Sequence, residues 1–153
     1  MANLTVTHTE DITLNGQQFG GTSIFTATGI NEVDKSIITC TTDKVEILGF
    51  IASGVAKGSF IEANVRYMRF TNLDVTNHIV LFFTNESSDE VAIKLDKGQT
   101  FIWNPDTAGG VVDNMDANSG GAASSGQLAD ITKVSVPVVV NLPPLAVIVL
   151  PLK

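Results

Sequence analysis

The sequence predicts an all-β protein: an antiparallel β-sandwich of about ten short strands in a jelly-roll arrangement, with little or no helix. Three observations predict it. Apolar residues come in short alternating runs, and no stretch repeats them at the three-and-four spacing of a helix face. Valine, isoleucine and threonine fill those runs, which suits a pleated surface. Turn-forming residues then cut the runs, with 13 glycines among 153 residues. A chain of that length makes one domain, residues 1–153, large enough to bury a core without staples.

Leu4 to Leu14 opens as a strand, with Leu4 and Val6 on one side and Thr5 and Thr7 on the other. It turns polar at Glu10 and Asp11 before Ile12 and Leu14. Asn15-Gly16 and Gly20-Gly21 are turn signals, with Phe19 exposed or pinned between them. Ser23–Thr28 is a strand ended by Gly29, Val33–Thr42 is another, and Asp43-Lys44 turns the chain into Val45–Phe50. Ser53-Gly54 and Lys57-Gly58 mark a loop, after which Phe60–Asn64 leads into the central stretch, Val65–Thr84. Two strand-like runs there flank a polar tip, Asn72 to Asn77, and the spacing predicts a β-hairpin. Its second arm, Ile79–Phe83, is apolar on both faces, so both faces need cover.

Glu86–Glu90 is a polar turn, and Val91, Ile93 and Leu95 then alternate with Ala92 and Lys94. Asp96-Lys97-Gly98 turns back into Gln99–Trp103, so Val65 to Trp103 reads as a four-strand meander. From 104 to 127 the chain is rich in Gly, Asp, Asn and Ser, a long loop of the kind that is commonly functional. Val111, Val112 and Met115 sit in its middle, where a solvated linker needs no apolar residue. Ile131–Val140 and Leu145–Leu150 close the chain as two strands around a turn. Pro137, Pro143 and Pro144 interrupt this apolar run and argue against a membrane span.

Formal net charge is −7, and only nine residues are Lys or Arg. Phosphate binding needs clustered cations, so no nucleic-acid partner is expected. Cys40 is the sole cysteine, which excludes an internal disulfide. The opening residues hold no basic region and no apolar block, so no signal peptide is expected, and folding in a cytoplasm is. For the same reason the sequons at Asn3 and Asn85 carry no weight.

No catalytic constellation is visible. His8 and His78 lie far apart and neither has a metal-type neighbour at ligand spacing, so no cupin-like metal site is expected. Nothing in sequence supports Cys40 meeting a histidine as a nucleophile pair. The loop from Asn114 places oxygen ligands at its first, third and fifth positions, as a calcium loop does. It has Ser119 where glycine is needed and Ser125 where a bidentate glutamate is needed. A polar turn is the default there, and no cofactor is expected. Arg66 and Arg69 have odd spacing, which puts them on opposite faces of a strand, where pairing with acids suits them.

The opening Met1 to Gly16 segment, Gly29-Ile30-Asn31-Glu32-Val33, Val65–Asp74 and Leu95–Phe101 together resemble small virion structural proteins of marine tailed bacteriophages. The resemblance runs from Met1 to about Trp103; beyond it the match is one of general character. It implies a non-enzymatic virion component, a capsid decoration or cement protein that binds other virion proteins, the major capsid protein among them. The consecutive apolar residues of the closing hairpin predict a homo-oligomer, and the decoration-protein analogy implies a trimer. The rival placement is a tail, neck or fibre-associated protein. A carbohydrate-binding β-sandwich is the alternative from another class, with Trp103 and Tyr67 as the sole Trp and Tyr for stacking on sugars.

Two surfaces are expected to carry the contacts. One is the loop around Val111, Val112 and Met115. The other is the closing apolar hairpin, with Val138, Val140, Val147 and Val149 at or beside the subunit contact.

Overall fold

The computed structural model describes residues 2–40, 43–54, 59–103, 111 and 130–136, with 144–151 described by backbone and register. Its strands are β1 (Ala2–Thr9), β2 (Thr13–Leu14), β3 (Gln17–Gln18), β4 (Thr22–Ile30), β5 (Asp34–Thr39), β6 (Val45–Ile51), β7 (Ser59–Ile61), β8 (Val65–Asn72), β9 (Ile79–Asn85), β10 (Glu90–Leu95), β11 (Thr100–Trp103), β12 (Ile131–Val136) and β13 (Pro144–Pro151). One turn of 3-10 helix, Glu62–Asn64, is the only helical element among the described residues. The all-β expectation holds. The strands beyond about ten are the two-residue pair β2–β3 and the short β7.

Two sheets carry the body. One has the order β10-β9-β12-β6-β7, the other β11-β8-β13-β5, and a separate two-stranded ribbon is made by β1 and β4. Pairing is antiparallel throughout except for β7, which lies parallel to β6. Alternation aims Met68 and Phe70 of β8 at Leu81 and Phe83 of β9, and Leu48, Phe50, Val134 and Val136 join the same core. Phe83 lies at its centre. Its ring meets Phe70 edge-on at 5.9 Å between centroids and stacks on Trp103 at 5.2 Å.

The hairpin and meander expected over Val65–Trp103 are corrected. β8 and β9 sit in different sheets and face each other across the core, while β9 pairs with β10 and β11 pairs with β8. The reason lies in the polar tip. It is a corner that carries the chain between layers about 10 Å apart, a step that a tight hairpin turn cannot make. Asn72 is fully buried at this corner, and its side-chain N–H groups donate to the carbonyls of Asn77, Leu95 and Asp96 at 2.8, 3.2 and 3.2 Å. Its Oδ1 accepts from the Asp74 N–H at 3.0 Å, and Asp74 Oδ1 in turn accepts from Thr76 and Asn77 N–H.

The closing strands are corrected likewise: β12 lies between β9 and β6, while β13 lies between β8 and β5. Neither Gly29 nor the Leu4–Leu14 run behaves as expected. Gly29, at φ +75°, stays inside β4 and forms a bulge, so that Ala2 pairs with Ile30 but Leu4 with Ala27. β1 ends at Thr9, and Ile12 and Leu14 belong to a second small hairpin.

Candidate interaction surface

The first thirty or so residues form an arm. β1 and β4 pair only with each other, and their base packs on the outer face of the four-stranded sheet. Ala27 and Ile30, with Leu4, Val6 and Phe25 partly buried, close over Tyr67 there. Beyond Thr9 the chain has no such support. Asn15 (φ 52°) and Gly16 (φ 78°) both adopt the left-handed region, which gives β2 and β3 the tight turn that their sequence predicts. At this tip Leu14 and Phe19 are 57% and 59% exposed, and Ile12 is exposed beside them. A two-stranded ribbon in water is marginal, and one carrying bare apolar side chains gains stability by contact with another surface.

The arm is also one-signed. From Ala2 to Asp34 it holds Glu10, Asp11, Glu32 and Asp34 and no lysine or arginine. Glu10 Oε1 lies 3.4 Å from His8 Nε2, and Asp11 Oδ1 accepts from Gln18 Nε2 at 2.6 Å. The outer face of the four-stranded sheet differs in character. Register sets Lys35, Arg69 and Ile102 in one row across β5, β8 and β11, and Ile37, Thr71 and Thr100 in the next. Ile37 is 66% exposed and Ile102 is exposed, and neither Lys35 nor Arg69 has an acidic partner among the described residues.

The structure describes three of the residues expected at interfaces, Val147 and Val149 by backbone and register alone. Val111 is completely enclosed in its own chain: its N–H donates to Glu62 O at 3.0 Å and its carbonyl accepts from Ile131 N–H at 3.3 Å. It is a core residue of this subunit, where the sequence suggested a contact with a partner. Val147 and Val149 lie on β13, an inner strand, in register with Phe70 and Met68. Val112, Met115, Val138 and Val140 lie outside the described residues, as do the loop 104–110 and 112–127 and the calcium-like stretch within it. The arm is hidden in the sequence because its alternating threonines have the pattern of an ordinary strand. Phe19 between two turn signals was the one available clue.

Near Val111 the side chain of Glu62 is buried and hydrogen-bonded to Asp130. Burial first, then the charges of Asp130 and Glu86, hold its carboxyl above the usual range. Among the described residues no group of three or more His, Cys, Asp or Glu is arranged to hold a metal ion. Cys40 is buried, and desolvation pushes its thiol up to about 11. Arg66 shares the parity of Met68 and Arg69 the opposite one, as their spacing predicts; Nε and Nη1 of Arg66 are buried without a hydrogen-bond partner among the described residues. Trp103 and Tyr67 are both engaged, one stacked on Phe83 and the other beneath the ribbon. No helix among the described residues is long and apolar enough to cross a membrane.

Neither the family models, the curated proteins nor the solved structures compared with this chain contain a match.

Proposed function

We propose that this chain is a non-enzymatic structural protein of a tailed-phage virion, a decoration protein that binds the capsid shell through protein–protein contacts and self-associates, as a trimer. On this reading it is made in the host cytoplasm and ends on the particle. The observation that carries the reading is the arm: a projecting ribbon with an apolar tip that has no work to do inside its own subunit. The sequence resemblance over Met1 to Trp103 supports the same class.

The sheet orders support a jelly-roll reading of the body. Taken without β7, the rows β10-β9-β12-β6 and β11-β8-β13-β5 wind successive strand pairs between two layers as two Greek keys do. That architecture serves capsid and lectin domains alike, so it supports a binding role by analogy only. Electron-microscopic localisation of labelled protein on intact particles tests the assignment. Density on the capsid faces is the expected result. Density at the tail, neck or fibres replaces decoration with the rival placement, and no density on the particle ends the virion reading.

A further inference from the structure

We propose that the tip of the arm docks on the outer face of the four-stranded sheet of a second copy of this chain. The two surfaces complement each other in three respects. The tip presents Leu14 and Phe19, and the sheet presents Ile37 and Ile102 in adjacent rows, so each offers apolar area that nothing in its own subunit covers. The tip carries Glu10 and Asp11 and lies in a segment without a lysine or arginine. The sheet face carries Lys35 and Arg69 in one row, without an acidic partner among the described residues. Opposite charge around an apolar centre sets orientation and rejects like surfaces.

The arm's base explains why the partner is another copy and not the same one. Leu4, Val6 and Phe25 are anchored over Tyr67, which fixes where the ribbon leaves the sheet. Leu14 lies eight residues beyond Val6, so an extended arm carries its tip up to roughly 26 Å from that anchor. Both surfaces stay exposed in the single subunit, so the arm does not fold back on its own rows. The contact joins two different patches and is therefore heterologous; repeated by rotation it closes a ring.

This contact rests on the self-association proposed above, and charge exchange separates the two ideas. Sedimentation velocity is run on the wild-type chain, on Glu10→Lys with Asp11→Lys, on Lys35→Glu with Arg69→Glu, and on all four changes together. Each pair of reversals is expected to weaken association about tenfold, and the fourfold variant to regain it. An equimolar mixture of Leu14→Cys and Ile37→Cys chains, treated with a short bis-maleimide, is expected to give a cross-linked dimer that neither chain gives alone. A wild-type chain that stays monomeric to about 100 µM overturns both the contact and the self-association. Association that is unmoved by either pair of reversals, with no mixed cross-link, overturns this contact and leaves self-association standing on another surface. Circular dichroism of each variant confirms that the body is folded.

Discussion

Asn72 shows how much one side chain does for the corner between the sheets. Its amide reaches three carbonyls, of which that of Leu95 is the buried one, and its oxygen takes a backbone N–H. Asn72→Ala removes the buried donor to Leu95 O and is expected to cost about 1–3 kcal/mol, read as a lower urea midpoint with unchanged slope. From sequence Asn72 was legible as a turn residue and nothing more, because its acceptors at Leu95 and Asp96 come from a later strand. Cys40 is easier: a lone cysteine between threonines reads as a small buried hydrophobe, and it is buried here, just past the end of β5. With its thiol at about 11, the folded chain at pH 8 is expected to react with a disulfide reagent far more slowly than the same chain in urea. Equal rates in the two conditions would show that the site is open.

The strands themselves were legible, since alternation depends on the residues within a run. Their partners were not. β8 and β9 carry the same local pattern whether they pair edge to edge or stack face to face, and only the reach of the corner decides. Alternation also fixes the two faces of β9, with Leu81 and Phe83 together and Val80 and Phe82 opposite. The cover differs, however. Phe83 lies at the centre of the core. Phe82 is half-buried beneath Lys44, whose Nζ lies 4.5 Å from the ring centroid and also pairs with Glu90. Phe83→Ala is therefore expected to cost about 3–5 kcal/mol, and Phe82→Ala about 1–2 kcal/mol, from partial burial and one cation–π contact. Equal losses in chemical denaturation would mean that the outer face is covered as fully as the inner one. Val111 marks the limit of sequence reading for the site. It stands in a polar stretch, and its burial depends on Glu62 and Ile131, which no local pattern connects to it. Val111→Asp is expected to unfold the subunit, because the site is shut off from solvent and a carboxylate there would be buried.

For the molecule as a whole, carboxyl groups act on stability in opposite directions. Hydrogen bonds from Asn77 and Thr76 hold Asp74 below its ordinary value, and Lys44 does the same for Glu90, so what they contribute is lost as pH falls through their folded values. Glu62 is raised from 4.5, so in the interval above 4.5 the folded chain keeps a proton that the unfolded chain releases. Stability is therefore expected to decline as pH rises through that interval. Glu62→Gln should flatten the decline and raise the melting temperature at neutral pH. A melting temperature that tracks the wild type at every pH would mean that Glu62 finds relief which the fold does not provide.

The place of β13 has a consequence for how the protein is made. Asp34 of β5 meets Val149, and Met68 of β8 meets the same residue from the other side. Until that last strand is translated, β5 lacks any neighbour in its sheet and β8 has only β11. At ordinary elongation rates, on the order of ten seconds pass between the synthesis of β5 and that of β13. Throughout that interval the ribosome holds a chain whose apolar sheet is missing its middle, and such unpaired edges invite aggregation. Slow, non-local closure of this kind predicts refolding on the millisecond-to-second scale, a yield that improves with cooler expression, and nascent chains that a protease cuts readily until Pro144–Pro151 has cleared the exit tunnel.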